Sequence, residues 1–267
     1  MASAVDALCA GGTIGIAPHS LRAVTLDDLR WASRAWPARP AHIHVAEQER
    51  EVADCLAAHG RRPIDLLLDT IESDTSRWCL VHATHADAAE LKRMAAAKAV
   101  AGLCPITEAN LGDGIFDAPT ILAHGGLFGV GTDSNVEITA PGELKLLEYS
   151  QRLALRARNV FPAKEGQSTG LALYRGALAG GARALGRQIG RIEKGFRADF
   201  VVLDGTATDL ACLKDDRWLD AYLFVAGMRA IRQVYVGGVA YVKDGRHVAH
   251  EAIARRYRAT MARLSAL

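Results

Sequence analysis

The sequence predicts an α/β fold with a parallel sheet, as in a (β/α)8 barrel, and two observations support this prediction. Short apolar runs alternate with longer segments rich in Ala, Leu, Glu and Arg, which is the pattern of strands joined by helices. Most of the apolar runs are also followed closely by a side chain that can bind a metal ion or transfer a proton. In a barrel of this kind the carboxyl ends of all strands lie on one face, where the active site forms.

Each element follows from a local pattern. The apolar runs predicted as strands span residues 13–18, 41–46, 78–83, 100–104 and 127–131. Helices are predicted over 26–35, 47–59 and 86–97, where apolar residues recur on one face. Thr25, with Asp28 three residues later, supports the start of the first helix, and Gly60 marks the end of the second.

The pattern changes near residue 186. Beyond it, short β-type segments are separated by glycine turns near residue 195, at 237–238 and at 244–245, which predicts a small antiparallel unit. Residues 251–267 are predicted to form an amphipathic closing helix with arginines on its solvent face. The predicted organisation is therefore part of a barrel over 1–186, a β unit over 187–250 and a closing helix over 251–267.

The composition excludes several classes of protein. The 267 residues are 50% hydrophobic, and 32 basic against 30 acidic side chains leave a net charge of +2, which indicates a globular core and no nucleic-acid-binding surface. With no long apolar run and no basic leader, we expect no membrane segment, no secretory signal and a cytoplasmic location. The cysteines are scattered and never spaced as CxxC, which predicts reduced thiols: Cys9, Cys55, Cys79, Cys104 and Cys212.

The second predicted strand carries the first candidate for chemistry. His42 and His44 point to the same face because side chains alternate along a strand, and Glu47 follows where the strand gives way to its loop. A neutral imidazole can bind zinc, and a nearby carboxylate can take a proton from water without being a ligand. Because His-x-His also occurs by chance, a structural or surface role stays open.

Four further residues complete the candidate site. Asp133 can complete a zinc site and accept a proton, or cap the helix after Pro141. His82 can polarise a substrate, or be a satisfied core residue. His19 and Arg22 form a polar cluster in which the arginine suits capture of a carboxylate, although a solvated loop arginine is the alternative. The glycine-rich segments match neither phosphate-binding nor dinucleotide-binding fingerprints, which argues against nucleotide binding.

Together these segments resemble the amidohydrolase superfamily of metal-dependent hydrolases, and within it the formimidoylglutamate deiminase family. The similarity rests on the order of five motifs: APHSLRAV, HIHVAEQ, WCLVHATH, CPITEANLGDGIF and GVGTDSN. It implies a (β/α)8 barrel with a small β-sandwich domain. It also implies one zinc ion, a small acidic substrate, hydrolysis of N-formimidoyl-L-glutamate to N-formyl-L-glutamate and ammonia, and a homodimer.

The resemblance also assigns roles. It implies that His44 and Asp133 bind the metal ion, on the fifth and eighth barrel strands, and that Asp133 also deprotonates the attacking water. Glu47 would carry the proton to the departing nitrogen, and His82 would hydrogen-bond to the tetrahedral centre. The substrate pocket would include His19 and Arg22, with Arg22 facing a carboxylate of the glutamate moiety.

One feature departs from the superfamily pattern. Its members take two further metal ligands from a His-x-His at the end of the first barrel strand, and no histidine precedes His19. The predicted strands begin about 28 residues apart, so three more strand–helix units would need roughly 85 residues, and five strands cannot close an eight-stranded barrel. We therefore expect barrel strands 4 to 8 only, with an incomplete metal site.

Two alternative functions stay open. The chain can belong to another deaminase of the superfamily, acting on a purine-like ring, although an aromatic content of 6% provides few flat walls for such a ring. It can also be a non-catalytic interaction module, because half of the ligand set is missing and an open sheet edge favours pairing with another chain.

Overall fold

The structure is a computed structural model, and it describes residues 12–161 and 166–266. A parallel four-stranded sheet forms its centre, with the strands in the spatial order β1-β2-β3-β4. This arrangement confirms the predicted α/β class with a parallel sheet. The strands are β1 Ala41–Val45, β2 Trp78–His82, β3 Val100–Leu103 and β4 Leu127–Val130.

The strand predicted over residues 13–18 does not form as a continuous strand. This segment runs parallel to β1 and meets it only through isolated bridges, at Ile16 and Ser20. The Ile16 N–H donates to the Pro40 carbonyl at 2.9 Å, and the His44 N–H donates to the His19 carbonyl at 3.0 Å. Proline lacks the N–H that a ladder requires, so Pro18 interrupts the pairing between the two bridges.

The helices alternate with the strands, as predicted. Thr25 accepts a hydrogen bond from the Asp28 N–H at the start of α1. The helices predicted over 47–59 and 86–97 begin two residues later than predicted, at Glu49 and Ala88. The later start at Ala88 is explained by a capping box between Asp87 and Glu90. The helices are α1 Leu26–Ala35, α2 Glu49–His59, α3 Pro63–Thr70, α4 Ala88–Ala96, α5 Pro105–Leu111, α6 Ala118–Ala123, α7 Ala140–Leu155, α8 Thr169–Ala184, α9 Arg217–Ala221 and α10 His250–Leu264.

The two faces of the sheet differ. Ala41, Ile43 and Val45 of β1 are buried in the main hydrophobic cluster, against the helices. His42 and His44 alternate with them and project from the other face, where the His42 Nε2 contacts the Ala184 carbonyl at 2.9 Å. One face therefore provides the core and the other is free to carry polar groups.

Helix α8 packs unusually closely against β4. A Cβ atom built on Gly180 would lie 1.8 Å from the carbonyl oxygen of Phe128, and one built on Gly176 would lie 2.4 Å from the Phe128 ring. Glycine is required at such an approach because any side chain would occupy the space of the strand. The contact fixes the strand that leads to Asp133.

The second sheet is antiparallel, in the order β5-β6-β7-β8. Within the described ranges it is one four-stranded sheet, so the predicted β-sandwich stays a prediction. Its strands are β5 Phe200–Leu203, β6 Ile231–Val236, β7 Val239–Lys243 and β8 Arg246–His247.

The C-terminal helix forms, as the sequence predicted for residues 251–267, and its role as a closing helix stays a prediction. No side chain of α10 is buried against the described residues, and its apolar residues Ile253, Tyr257 and Met261 are exposed. The amphipathic pattern predicted a helix correctly, whereas a pattern cannot show what covers the apolar face. None of the described helices is both long and apolar enough to cross a bilayer.

Candidate active site

The candidate residues lie at the carboxyl ends of the parallel strands. His44 is in β1 and Glu47 follows it, His82 is the last residue of β2, and Asp133 lies just after β4. The carboxyl ends of neighbouring parallel strands meet at one edge, which brings together residues that are distant in sequence.

The backbone turns sharply at these strand ends. Ala46 after β1, His82 and Ala83 at the end of β2, and Asp133 after β4 all have positive φ angles, of 52°, 68°, 51° and 37°. Residues other than glycine rarely adopt this left-handed conformation, and it is concentrated at functional sites. The turns redirect the chain at three strand ends of the candidate site.

His82 is the centre of the cluster. Its Nε2 lies 3.7 Å from Glu47 Oε1 and 3.9 Å from Asp133 Oδ2, while its Nδ1 lies 3.2 Å from Glu108 Oε1. The ring is 1% exposed and stacks on His44 with ring centroids 5.6 Å apart. One imidazole thus contacts a carboxylate on one side and faces two more on the other.

These neighbours decide the protonation of the imidazole. Burial lowers the pKa of His82, but the hydrogen bond to Glu108 and the negative charges of Glu108, Glu47 and Asp133 outweigh burial, so its pKa is raised above the usual value. The shift favours the protonated ring, which is the form that can donate a proton or hydrogen bond to a substrate.

Glu47 is positioned by a buried carboxylate that the sequence analysis missed. Glu51, in the first turn of α2, accepts hydrogen bonds from the backbone N–H groups of Ala46 at 3.1 Å and Glu47 at 3.0 Å. Arg22 Nη2 donates to Glu47 Oε2 at 2.9 Å. Glu51 therefore holds the backbone of the loop after β1, and Arg22 holds the side chain of Glu47. A glutamate four residues after a candidate catalytic glutamate, at a helix start, is the signal that could have identified Glu51.

The hydrogen bond of His44 determines which nitrogen is free. His44 Nδ1 lies 2.7 Å from the His19 carbonyl oxygen. A carbonyl can only accept, so Nδ1 carries the proton and Nε2 keeps its lone pair. This is the arrangement by which proteins orient a histidine that binds a metal ion.

His19 and Arg22 lie beside this cluster. The His19 ring is 5.1 Å from the His44 ring, and its Nδ1 is 3.0 Å from Ser20 Oγ. Arg22, which the sequence analysis expected to face a substrate carboxylate, contacts the carboxylate of Glu47 in this structure, and its side chain is 39% exposed. It remains accessible for a second anion.

Glu108 is the other residue that the sequence analysis missed. It lies in the TEANLGDGIF segment, which was used for the resemblance, but it was given no role. Pro105 marks the first position of α5, so a glutamate one turn later points back to the preceding strand end. This spacing was the available signal.

A second group of potential metal ligands lies behind His82. His82, Cys104 and Glu108 have ligand atoms within 4.8 Å of one another. Burial raises the pKa of the Cys104 thiol, and Glu108 Oε1 already accepts from the Cys104 N–H and contacts His82 Nδ1. Because thiolate is the form that binds metals, this trio fits a hydrogen-bonded support better than a metal site. The free Nε2 of His44 and the carboxylate of Asp133 are the better donor pair.

Comparison with known proteins places this cluster in a family. The sequence matches the amidohydrolase family over residues 3–241. It is 49% identical over 249 residues to formimidoylglutamate deiminase of Pseudomonas aeruginosa, covering 93% of this chain and 55% of that protein. It is 30% identical over 235 residues to 5-methylthioadenosine/S-adenosylhomocysteine deaminase of Halobacterium salinarum, covering 85% of this chain and 52% of that protein.

Solved structures agree with these sequence matches. A crystal structure of an amidohydrolase from Brucella melitensis superposes with a TM-score of 0.88 at 49% identity, covering 95% of this chain and 56% of the other. An adenosine deaminase from Xanthomonas campestris with bound zinc superposes with a TM-score of 0.81 at 25% identity, covering 94% and 57%. The chain thus spans about half the length of the relatives it matches, and it belongs to the amidohydrolase family.

Proposed function

We propose that this chain forms the C-terminal part of a metal-dependent deaminase active site that hydrolyses N-formimidoyl-L-glutamate to N-formyl-L-glutamate and ammonia. The observation that carries the proposal is the convergence of Glu47 and Asp133 on the Nε2 side of His82, at 3.7 and 3.9 Å. The relative from Pseudomonas aeruginosa supports the choice of substrate.

His44 and Asp133 are the residues of this chain that would hold a zinc ion. The donor set fits because the Nε2 of His44 is free of its proton and Asp133 supplies a hard oxygen ligand. Bound at such a site, zinc would supply Lewis acidity that lowers the pKa of water toward neutrality. Zinc sites of catalytic type use three protein ligands, so we propose that further ligands come from outside the described residues.

The proposed reaction divides the proton transfers among three side chains. Asp133 accepts a proton from the water that attacks the amidine carbon. His82, in its doubly protonated form, donates a hydrogen bond from Nε2 to the tetrahedral centre while Nδ1–H stays on Glu108. Glu47 carries the proton taken from the water to the departing nitrogen, the C–N bond breaks, and ammonia leaves as the hydroxyl proton of the tetrahedral centre is released and the formyl C=O forms. The raised pKa of His82 supports this role because it favours the doubly protonated ring that can donate from Nε2.

Arg22 and His19 supply recognition of the substrate. Arg22 lies within contact of Glu47 and keeps an exposed side chain. A guanidinium can engage one carboxylate through the remaining donors of its fork while it holds another. We propose that the second carboxylate is that of the glutamate moiety.

We propose that the barrel is completed by strands from outside the described residues. Ile16 and Ser20 pair with β1, but the other edge of their segment has no strand partner among the described residues. An open edge of this kind accepts a further strand. The predicted homodimer and the cytoplasmic location remain expectations that rest on the resemblance and the composition.

A purine-type deaminase is the second candidate, because the Halobacterium salinarum relative is a nucleoside deaminase by name. The two candidates differ in the charge of the substrate. A substrate with the two carboxylates of a glutamate moiety would use Arg22, whereas 5′-methylthioadenosine has no carboxylate for a guanidinium to pair with.

The test is ammonia release by a composite protein in which this chain follows the N-terminal half of the Pseudomonas aeruginosa deiminase. With added zinc, we expect ammonia from N-formimidoyl-L-glutamate and none from 5′-methylthioadenosine, with loss of turnover in Glu47→Gln. A Glu49→Gln variant, altered at the exposed first residue of α2 directly after this loop, is the matched control. Ammonia from the nucleoside alone, or none from either substrate by a folded composite protein, contradicts the proposal.

A further inference from the structure

Glu108 is buried directly behind the catalytic cluster. Its side chain is 5% exposed, and its Oε1 lies 3.2 Å from His82 Nδ1. The same oxygen accepts the Cys104 N–H at 2.9 Å. Because α5 begins immediately after β3, these contacts fix the carboxylate between two strand ends.

The chemistry of these contacts fixes the tautomer of the ring. A carboxylate only accepts hydrogen bonds, so the proton of neutral His82 must lie on Nδ1 when it contacts Glu108. The lone pair of Nε2 then faces Glu47 and Asp133. Without this acceptor, an imidazole can flip about its Cβ–Cγ bond or move its proton to Nε2, and the nitrogen that faces the site would no longer be defined.

We infer that Glu108 is a positioning residue that holds the His82 ring as the Nδ1–H tautomer, with Nε2 directed into the site. The inference rests on the proposed function for its catalytic meaning, but the tautomer itself is a property of the folded chain. Glu108 does not contact the reacting atoms, and it acts through His82.

Two other histidines of the same chain provide internal references. His44 Nδ1 contacts the His19 carbonyl, which requires the Nδ1–H form. His85 Nε2 lies 2.7 Å from the Asp113 carbonyl oxygen, which requires the opposite, Nε2–H form. Both partners are backbone carbonyls, so neither reference depends on the protonation of a side chain.

The experiment is nitrogen NMR of the whole chain with ¹⁵N-labelled histidine, at alkaline pH where the rings are neutral. The His82 signals are assigned by their loss in His82→Gln. We expect wild-type His82 to match the His44 pattern and Glu108→Gln to retain it, because the amide oxygen can still accept from Nδ1–H. In Glu108→Ala we expect the shift difference between the two ring nitrogens to collapse toward an averaged value.

Glu143→Gln is the matched control, because Glu143 is another buried carboxylate. It accepts a hydrogen bond from the Ile106 N–H and not from His82. We expect it to leave the His82 signals unchanged. An Nε2–H form of His82 in the wild-type chain overturns the inference, as does an unchanged pattern in folded Glu108→Ala. If Glu108→Ala does not fold, the wild-type and Glu108→Gln spectra still decide it.

Turnover of the composite protein separates this inference from the proposed function. We expect Glu108→Ala to lower kcat at a nearly unchanged KM, and Glu108→Gln to restore much of it, as a positioning role requires. If the composite protein releases no ammonia, the proposed function fails while the NMR result still decides the tautomer. If the composite protein is inactive but His82 is the Nδ1–H tautomer, Glu108 is still the residue that determines the tautomer of the His82 ring.

Discussion

The glycine pair at the end of α8 provides a direct test of the packing that fixes β4. A Cβ added at Gly180 would lie 1.8 Å from the Phe128 carbonyl oxygen and 2.2 Å from its carbonyl carbon, whereas a Cβ at Gly181 meets nothing within 4 Å. The obstacle is backbone, which cannot move aside by changing a rotamer, and overpacking of this kind costs about 1–3 kcal/mol or more. Replacing a helical glycine by alanine otherwise stabilises a helix by about 1 kcal/mol.

The propensity gain is common to both variants, so we expect Gly180→Ala and Gly181→Ala to differ in the free energy of unfolding by the overpacking cost alone, about 1–3 kcal/mol or more, with Gly180→Ala the less stable. The two changes add the same methyl group to adjacent positions of one helix, so each controls for the other. Urea unfolding followed by circular dichroism measures the difference, provided that the free energy of unfolding depends on urea concentration with the same slope in both variants. Equal stabilities would refute the close approach of α8 to β4.

Two further predictions concern buried carboxylates. Glu51→Gln places an amide NH₂ against one of the N–H groups of Ala46 and Glu47. We therefore expect the free energy of unfolding, measured in urea, to fall by about 1–3 kcal/mol, against less than about 0.5 kcal/mol for the exposed control Glu49→Gln. Equal losses in the two variants would contradict this prediction. Burial raises the pKa of Glu143 to about 7. The folded protein therefore binds a proton at this residue more tightly than the unfolded protein does, and the free energy of unfolding falls as pH rises from about 4.5 to 7. Glu143→Gln removes this pH dependence. Between pH 5 and 8 we expect the free energy of unfolding of the wild type to fall by up to about 3 kcal/mol relative to that of the variant, measured by unfolding both proteins at each pH. The same pH dependence in both proteins would contradict this prediction.

Much of the parallel sheet could be predicted from the sequence because its strands are short, continuous apolar runs. The run from residue 41 and the run from residue 78 each begin a strand at that residue. The run over 13–18 failed because hydrophobicity does not report whether each residue has an N–H to donate, and Pro18 does not. Helix starts were displaced where capping side chains, such as Asp87, decide the boundary.

Sequence patterns pointed only to the candidate residues at or just after the strand ends, and not to the carboxylates that support them. His44, Glu47, His82 and Asp133 follow strands, and the parallel topology alone brings the strand ends together. The supporting carboxylates were missed because an isolated glutamate at a helix start resembles an ordinary helix-dipole contact. What covers the apolar face of α10 could not be predicted, because amphipathicity shows that a face is apolar without showing what packs on it.

Zinc content measured after dialysis against metal-free buffer tests the central claim most directly, namely that this chain carries part of a metal-dependent deaminase site. The account predicts about one tightly held zinc ion in the composite protein, loss of that zinc in its His44→Ala variant, and substoichiometric, readily removed zinc in this chain alone. Stoichiometric zinc held tightly by this chain alone would contradict the shared site. Zinc retained in full by His44→Ala would contradict the assignment of the ligand.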